Sequence, residues 1–207
     1  MKVLGKSSSI NVRKVLWTCA EIGADVEHLE FGSGTSGDVT SSDFLQLNPN
    51  AMVPVLIDRG QSLWESNSIC RYLAMKYQRQ DLLPTEPMAR AQVEKWMDWQ
   101  LGDLNNAWRY AFLSKVRHSA AHQDAQLCAQ SAHSWNQLMM ILEAQLVRTG
   151  AYVVGDQFTL ADIVLGLALN RWRSTPIDRP ATPALDRYFD LLKQRPGYVR
   201  FGANGIA

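Results

Sequence analysis

No stretch of this 207-residue chain approaches the roughly 20 consecutive apolar residues needed to cross a membrane. The opening MKVLGKSSSIN turns polar after four residues, too early for the apolar segment of a secretory leader. An excess of charge is also missing: 21 Lys and Arg stand against 20 Asp and Glu, the formal net charge is +1, and no basic run is longer than Arg13-Lys14. Without a field of one sign, nothing gathers nucleic acid or an anionic membrane surface, and neither is expected as a partner. Cysteine is scarce. Cys19, Cys70 and Cys128 are widely spaced and form no Cys-x-x-Cys pair, the usage of a reducing compartment in which thiols pack as small hydrophobes. The expected location is therefore the cytoplasm. No Gly-x-Ser-x-Gly elbow is present for a serine hydrolase. His118 and His122 have Ser119 where a His-Glu-x-x-His metal site needs glutamate, so a solvated helix end is expected there and no metal.

What is present is a chain 46% hydrophobic and 20% charged, enough for a core without staples. Its two parts read differently. Residues 2–5 form a short strand candidate. Val12, Val15, Leu16 and Cys19 then recur at helical spacing up to Gly23, and residues 26–31 suit a second strand. A β-α-β unit of this size crosses over right-handed and makes a parallel pair. Past a Gly- and Ser-rich loop at residues 32–42, two apolar runs at 53–57 and 61–64 flank Asp58-Arg59-Gly60 and predict a hairpin. A helix follows from Ser66 through Ile69, Tyr72, Leu73 and Tyr77, until Leu83-Pro84-Thr85-Glu86-Pro87 breaks the chain. Beyond that linker only helical periodicity appears. Val93, Trp96, Met97, Leu101, Leu104, Trp108, Phe112 and Val116 trace one helix of about thirty residues. Cys128, Trp135, Leu138, Met139, Leu142 and Leu146 trace a second, and shorter helices fit 160–172 and 184–194. The expected domains are α/β over residues 1–80 and all-α over 88–207, with 81–87 between them.

Gly32-Ser33-Gly34-Thr35-Ser36-Gly37 spells a dinucleotide fingerprint, with Asp58 about twenty residues on. The fingerprint needs a helix opening at its end, whereas residues 38–48 are polar and hold at most a short helical turn, so a flexible loop is expected.

The informative segment is MVPVLIDRGQSLWESNSICRYL, residues 52–73. Pro54 removes a ladder donor and belongs at a strand's start or edge, leaving Val53 with main-chain groups to which an extended peptide-like ligand can add. Glu65-Ser66 falls where a strand ends and a helix begins, with Ser66 placed to cap it. A helix N-terminus binds anions, so Ser66 can take a carboxylate while Glu65 takes an ammonium group, and together they read an amino-acid head. The alternative is an ordinary capped helix with a surface glutamate. A hundred residues later, Gly155-Asp156-Gln157-Phe158-Thr159-Leu160-Ala161-Asp162 reads as a capping box, with Thr159 at N-cap and Asp162 three residues on.

Taken together, Val53-Pro54, Glu65-Ser66 and the 155–162 motif resemble those of the glutathione transferases, of the Ser-type, theta-related kind, over most of the chain. The resemblance implies a thioredoxin-like N-terminal domain (β-α-β then β-β-α) and an all-α C-terminal helical bundle. It implies reduced glutathione as cosubstrate, no metal, a cis bond at Val53-Pro54, and a structural role for Thr159 and Asp162. By the same resemblance, Ser9 aligns with the serine that activates the glutathione thiol. The bland alternative is that Ser9 caps the first helix, and Asn11 is the spare candidate because an amide can also donate to a thiolate. No cysteine lies between Met1 and Cys19, so the family's cysteine variant is not expected. Members usually offer a basic or amide side chain for the glycine carboxylate two residues before the cis proline, where this chain has Met52; Asn50 or a residue of the 32–42 loop is the expected substitute. A hydrophobic electrophile is expected against Trp108, Tyr110 and Phe112. Conjugation, reductive dehalogenation and peroxide reduction all use the same thiolate. The resemblance also implies a homodimer, and Trp96, Met97 and Trp99 on several faces of one helix look hard for a monomer to bury. The competing reading is a transferase-fold protein that binds or regulates without catalysing.

Overall fold

The computed structural model describes residues 1–205, and the chain divides into two compact units, Met1–Thr85 and the remainder from Glu86. The first unit runs β1 (Lys2–Leu4), α1 (Ile10–Ile22), β2 (Glu27–Leu29), α2 (Ser42–Leu47), β3 (Val55–Asp58), β4 (Gln61–Trp64) and α3 (Ser66–Lys76). The sheet order is β2-β1-β3-β4. β1 pairs parallel to β2, with Val3 opposite His28, and antiparallel to β3, with Val3 opposite Leu56. This is a β-α-β crossover followed by a hairpin. Because side chains alternate across a strand, Leu4 and Val55 turn to one face, where they pack with Phe44 of α2. Val3 and Leu56 turn to the other and are equally buried. α1 packs against α3, and Val12, Val15 and Cys19 of the one helix and Ile69, Cys70 and Leu73 of the other are buried.

The second unit holds α4 (Pro87–Trp99), a π-helical turn (Gln100–Leu104), α5 (Asn105–Lys115), α6 (Ala125–Thr149), α7 (Leu160–Ser174), α8 (Pro183–Leu192) and α9 (Pro196–Phe201). α4 opens with Pro87 at its first turn, and the Glu86 carboxylate accepts from the Met88 and Ala89 N–H groups. Asp124 caps α6 in the same way through Gln126 and Leu127. Every residue of α7 from Leu160 to Trp172 is buried, the polar Asp162, Asn170 and Arg171 among them, so this helix is enclosed on all sides within the unit. The Asp162 carboxylate, at its third position, accepts from the Thr159 N–H (2.8 Å), the Thr159 hydroxyl (3.2 Å), the Val153 N–H (2.9 Å) and the Tyr188 hydroxyl (2.9 Å). It thus closes the capping box and ties α7 to α8 and to the preceding loop.

Several elements depart from the sequence expectation. The second strand is Glu27–Leu29 rather than 26–31, because Phe31 leaves the ladder to form an isolated bridge with Gly37. That bridge closes the glycine loop with a Gly32 N–H to Gly37 carbonyl bond of 2.8 Å; no helix opens at its end, so it is no dinucleotide fingerprint. The expected thirty-residue helix is interrupted by the π turn. α9 was not anticipated, since six residues behind Arg195-Pro196 are too few to show a period. Helix α5 ends before His118, which has φ 50°, so His118 and His122 share no helix face. His122 instead bonds Ser119 through Nδ1 at 2.9 Å and packs edge-on against Tyr110. Among the described residues no helix is long and apolar enough to cross a membrane, and no cluster of three His, Cys, Asp or Glu is placed to hold a metal.

Candidate functional site

A cavity of about 230 Å³ in the first unit is lined by Asn11, Asn48, Asn50, Met52, Val53, Pro54, Glu65 and Ser66. Seven of these eight are residues singled out from the sequence, Asn48 being the exception. Three chain segments bring them together. The first is the entry to β3, where the Val53-Pro54 bond is cis. Val53 makes no main-chain hydrogen bond to any described residue, so its N–H and C=O remain available to an extended ligand. Behind it stands Gly5, at φ 150°, where a Cβ would lie 2.5 Å from Val12 and 3.0 Å from Val53; only glycine lets β1 and the proline turn approach so closely.

The second segment is the junction of β4 with α3. Glu65 sits at φ 71°, ψ 109° in the cap position, and its side chain makes no cap bond. Ser66 is therefore the first helical residue rather than the cap, a correction to the sequence reading. The turn is made by Glu65 in a conformation few non-glycine residues adopt, which no local pattern announces. The result suits an amino-acid head: Glu65 is exposed, and Ser66 is buried, 2% exposed, at the helix start with no partner for its hydroxyl among the described residues. The first turn of α3 carries no acidic side chain to compensate its N–H groups. Behind it, buried Lys14 of α1 donates to Asn67 Oδ1 at 3.4 Å, placing a cation beneath the same turn. The neighbouring Thr18 hydroxyl donates to Cys70 Sγ at 3.2 Å. Burial pushes the Cys70 thiol up to about 11 and the Cys19 thiol up to about 12, so neither is a nucleophile at neutral pH.

The third segment is the amino terminus of α1. Ser9 occupies its N-cap position, but the hydroxyl makes no cap bond, and Ser9 does not line the cavity. Asn11, one turn position inside the helix, does. Asn48 is a residue the sequence reading missed. It is buried, donates through Nδ2 to the Met52 carbonyl at 2.8 Å, and accepts on Oδ1 from the Asn50 N–H (3.1 Å) and Asn50 Nδ2 (2.9 Å). The only signal available was the Asn48-Pro49-Asn50 turn. Asn50 is therefore bonded within its own loop, and Met52 is 62% exposed.

The three aromatic residues proposed for the electrophile do not form one wall. Trp108 and Phe112, four apart, share a face and clasp the Arg171 guanidinium at 4.4 and 4.3 Å. Phe112 is buried, on the face of α5 whose Trp108 meets Trp135 of α6 and which packs on Arg171 of α7. Tyr110 lies about 200° around the helix from Trp108. Its hydroxyl accepts from the Asp124 N–H at 3.1 Å and its ring meets His122.

The chain as a whole is similar to known proteins. Residues 1–75 match the glutathione S-transferase N-terminal domain family, and residues 105–196 the glutathione S-transferase C-terminal domain family. Glutathione S-transferase GstB of Escherichia coli strain K12 is 34% identical over 196 residues, covering 93% of this chain and 92% of that one. The chain belongs to the glutathione S-transferase family. Among other transferases, glutathione S-transferase 3 of Zea mays is 32% identical across 97% of this chain and 92% of its own. The theta class glutathione S-transferase of Xanthomonas axonopodis pv. citri, solved with glutathione bound, superposes with a TM-score of 0.89 at 35% identity, covering 97% of this chain and 96% of that one.

Proposed function

We propose that this transferase binds reduced glutathione in the Val53–Ser66 cavity and turns its thiolate on a hydrophobic electrophile. The observation that carries the reading is the convergence, in one cavity, of an unpaired strand edge, an exposed carboxylate and an uncompensated helix N-terminus. Each matches one part of the tripeptide. Glu65 receives the γ-glutamyl ammonium group, the Ser66 hydroxyl and the first N–H groups of α3 receive its carboxylate, and the cysteinyl main chain pairs with Val53. The glycine carboxylate meets no cationic side chain among the lining residues, since Met52 stands where a base is usual. The thiol gives its proton to solvent. The thiolate then forms a C–S bond as a leaving group departs with its electron pair, or as an activated double bond takes up a proton. Three thiols outside any disulfide fit a reducing cytoplasm.

Calorimetric titration of reduced glutathione is expected to show saturable binding to the wild type that is weakened in Ser66→Ala. No heat up to about 10 mM, beyond the millimolar end of useful affinity, overturns the reading.

The protein is further proposed to be a homodimer, although the argument from Trp96 and Met97 does not survive, because the single chain already buries both. The support lies on α6, where Met140, Ile141 and Val147 are 41, 48 and 64% exposed beside a groove of about 480 Å³ that includes Trp96, Ala144 and Arg148. An apolar face of this kind is what a second copy covers. Light scattering at low micromolar concentration should return twice the chain mass, and a monomer there would end the proposal.

A further inference from the structure

We infer that the side-chain amide of Asn11, rather than the hydroxyl of Ser9, is the group that touches the glutathione sulfur and holds it as a thiolate. The inference rests on the glutathione reading of the cavity and assigns the donor that reading lacks. Three carboxamides line the cavity: Asn11, Asn48 and Asn50. Two have committed their donors inside the proline loop, Asn48 Nδ2 to the Met52 carbonyl and Asn50 Nδ2 to Asn48 Oδ1. The Asn11 side chain makes no hydrogen bond to any described residue, and its Oδ1 is shut away from water without a partner. A buried amide oxygen left unmatched is a cost that native folds rarely carry without a reason. Asn11 lines the cavity, and since Oδ1 is the buried atom, Nδ2 is the end we assign to it.

Of the remaining polar groups in the wall, the Glu65 carboxylate repels an anion, and the Ser66 hydroxyl stands at the N-terminus of α3, where the ligand's own carboxylate belongs. No lysine, arginine or histidine is in the wall. The Asn11 amide is therefore the one uncommitted side-chain donor for a sulfur anion. Ser9, two residues earlier at the N-cap of the same helix, is not among the residues that line the cavity.

The sign of the effect follows from the chemistry. A hydrogen bond donated to the thiolate favours the charged form and lowers the thiol pKa below its free value of about 8.5. The amide is neutral at every working pH, so the assistance does not itself titrate.

The test is the ultraviolet absorbance of the thiolate, followed against pH in complexes of glutathione with the wild type, Asn11→Ala, Asn11→Asp and Ser9→Ala, each at saturating ligand. Asn11→Asp keeps the shape of asparagine and places an acid in the first turn of α1, where it favours the helix. Thermal unfolding of each variant is read alongside, so a loss of folding cannot stand in for the result. Both Asn11 variants are expected to bind glutathione and to raise the pKa of the bound thiol by about one unit, with Asn11→Asp raising it further because a carboxylate replaces the donor. Ser9→Ala should move it less than either. If the Asn11 variants titrate with the wild type while Ser9→Ala shifts the curve, the assignment is wrong and the serine is the donor. If the wild type itself shows no saturable glutathione binding, the cavity reading fails first and the assignment with it.

Discussion

Asp162→Ala is expected to lower the midpoint of thermal unfolding by about 10 °C, a loss of roughly 3–5 kcal/mol at about 2–4 °C per kcal/mol for a chain of this size. The carboxylate is fully buried and accepts four hydrogen bonds, two from main-chain N–H groups. Truncation leaves the Val153 and Thr159 N–H groups and the Tyr188 hydroxyl buried without an acceptor, which is worth more than the bonds' net contribution because none of them regains water. The same group makes stability depend on pH. Burial outweighs the four donors and pushes the Asp162 carboxyl up to about 6. Its folded pKa thus lies above the unfolded value of about 3.9, so the folded state holds the proton longer. The contribution is greatest below that unfolded value, declines as pH rises towards about 6, and is level above it. Denaturant midpoints for the wild type and Asp162→Asn, compared across this interval, should diverge with a slope the asparagine variant lacks. An equal pH dependence in both would show that Asp162 is ionised throughout. An alanine variant with an unchanged midpoint would mean that water reaches the freed donors.

Glu65→Gly is expected to make the protein more stable and a poorer binder. Glu65 at φ 71°, ψ 109° holds a conformation that costs a side-chain-bearing residue about 1–3 kcal/mol and glycine almost nothing. Part of that gain is returned through glycine's freedom in the unfolded chain, leaving about 1 kcal/mol. Binding moves the other way. The γ-glutamyl ammonium loses a charged hydrogen-bond partner worth about 1.5–3 kcal/mol, or roughly 10- to 100-fold in affinity. Glu65→Gln separates the two effects, since it keeps the strain and discards the charge: affinity should fall with no rise in the melting midpoint. Thermal unfolding and glutathione titration on the three proteins decide the matter. A glycine variant that binds as the wild type does would remove Glu65 from the site.

The parts of this molecule that sequence made legible are those whose cause is local. Pro54 has to start or edge a strand, Gly23 has to end α1, and the alternation of 53–64 around Asp58-Arg59-Gly60 has to fold back on itself; all three stand in the structure. The site was legible as segments, because Val53-Pro54 and Glu65-Ser66 are each contiguous. What could not be read is the direction in which single side chains point. Ser9 and Asn11 both sit at the start of one helix, and spacing alone cannot say that Asn11 reaches the cavity while Ser9 does not. Ser66 was placed at the cap because serine is a good cap, whereas Glu65 took the position by adopting a positive φ that only the packing around it can enforce. Asn48 gives no hint until the loop closes on Met52. The division among Trp108, Tyr110 and Phe112, by contrast, was available from helix geometry, since residues two apart point in nearly opposite directions.

The π turn at Gln100–Leu104 has a consequence for how this chain tolerates changes in its length. A π turn holds one residue more than the α-helix would use to travel the same arc, so it is a single-residue insertion already absorbed. Removing one residue inside it returns the backbone to α-helical winding and leaves the downstream side chains facing as before. Removing one residue after Asn105 instead rotates everything beyond it by about 100° and swings Phe112 out from against Arg171. Two deletions only a few positions apart therefore differ in kind: one erases slack, and the other unthreads the core of the second unit.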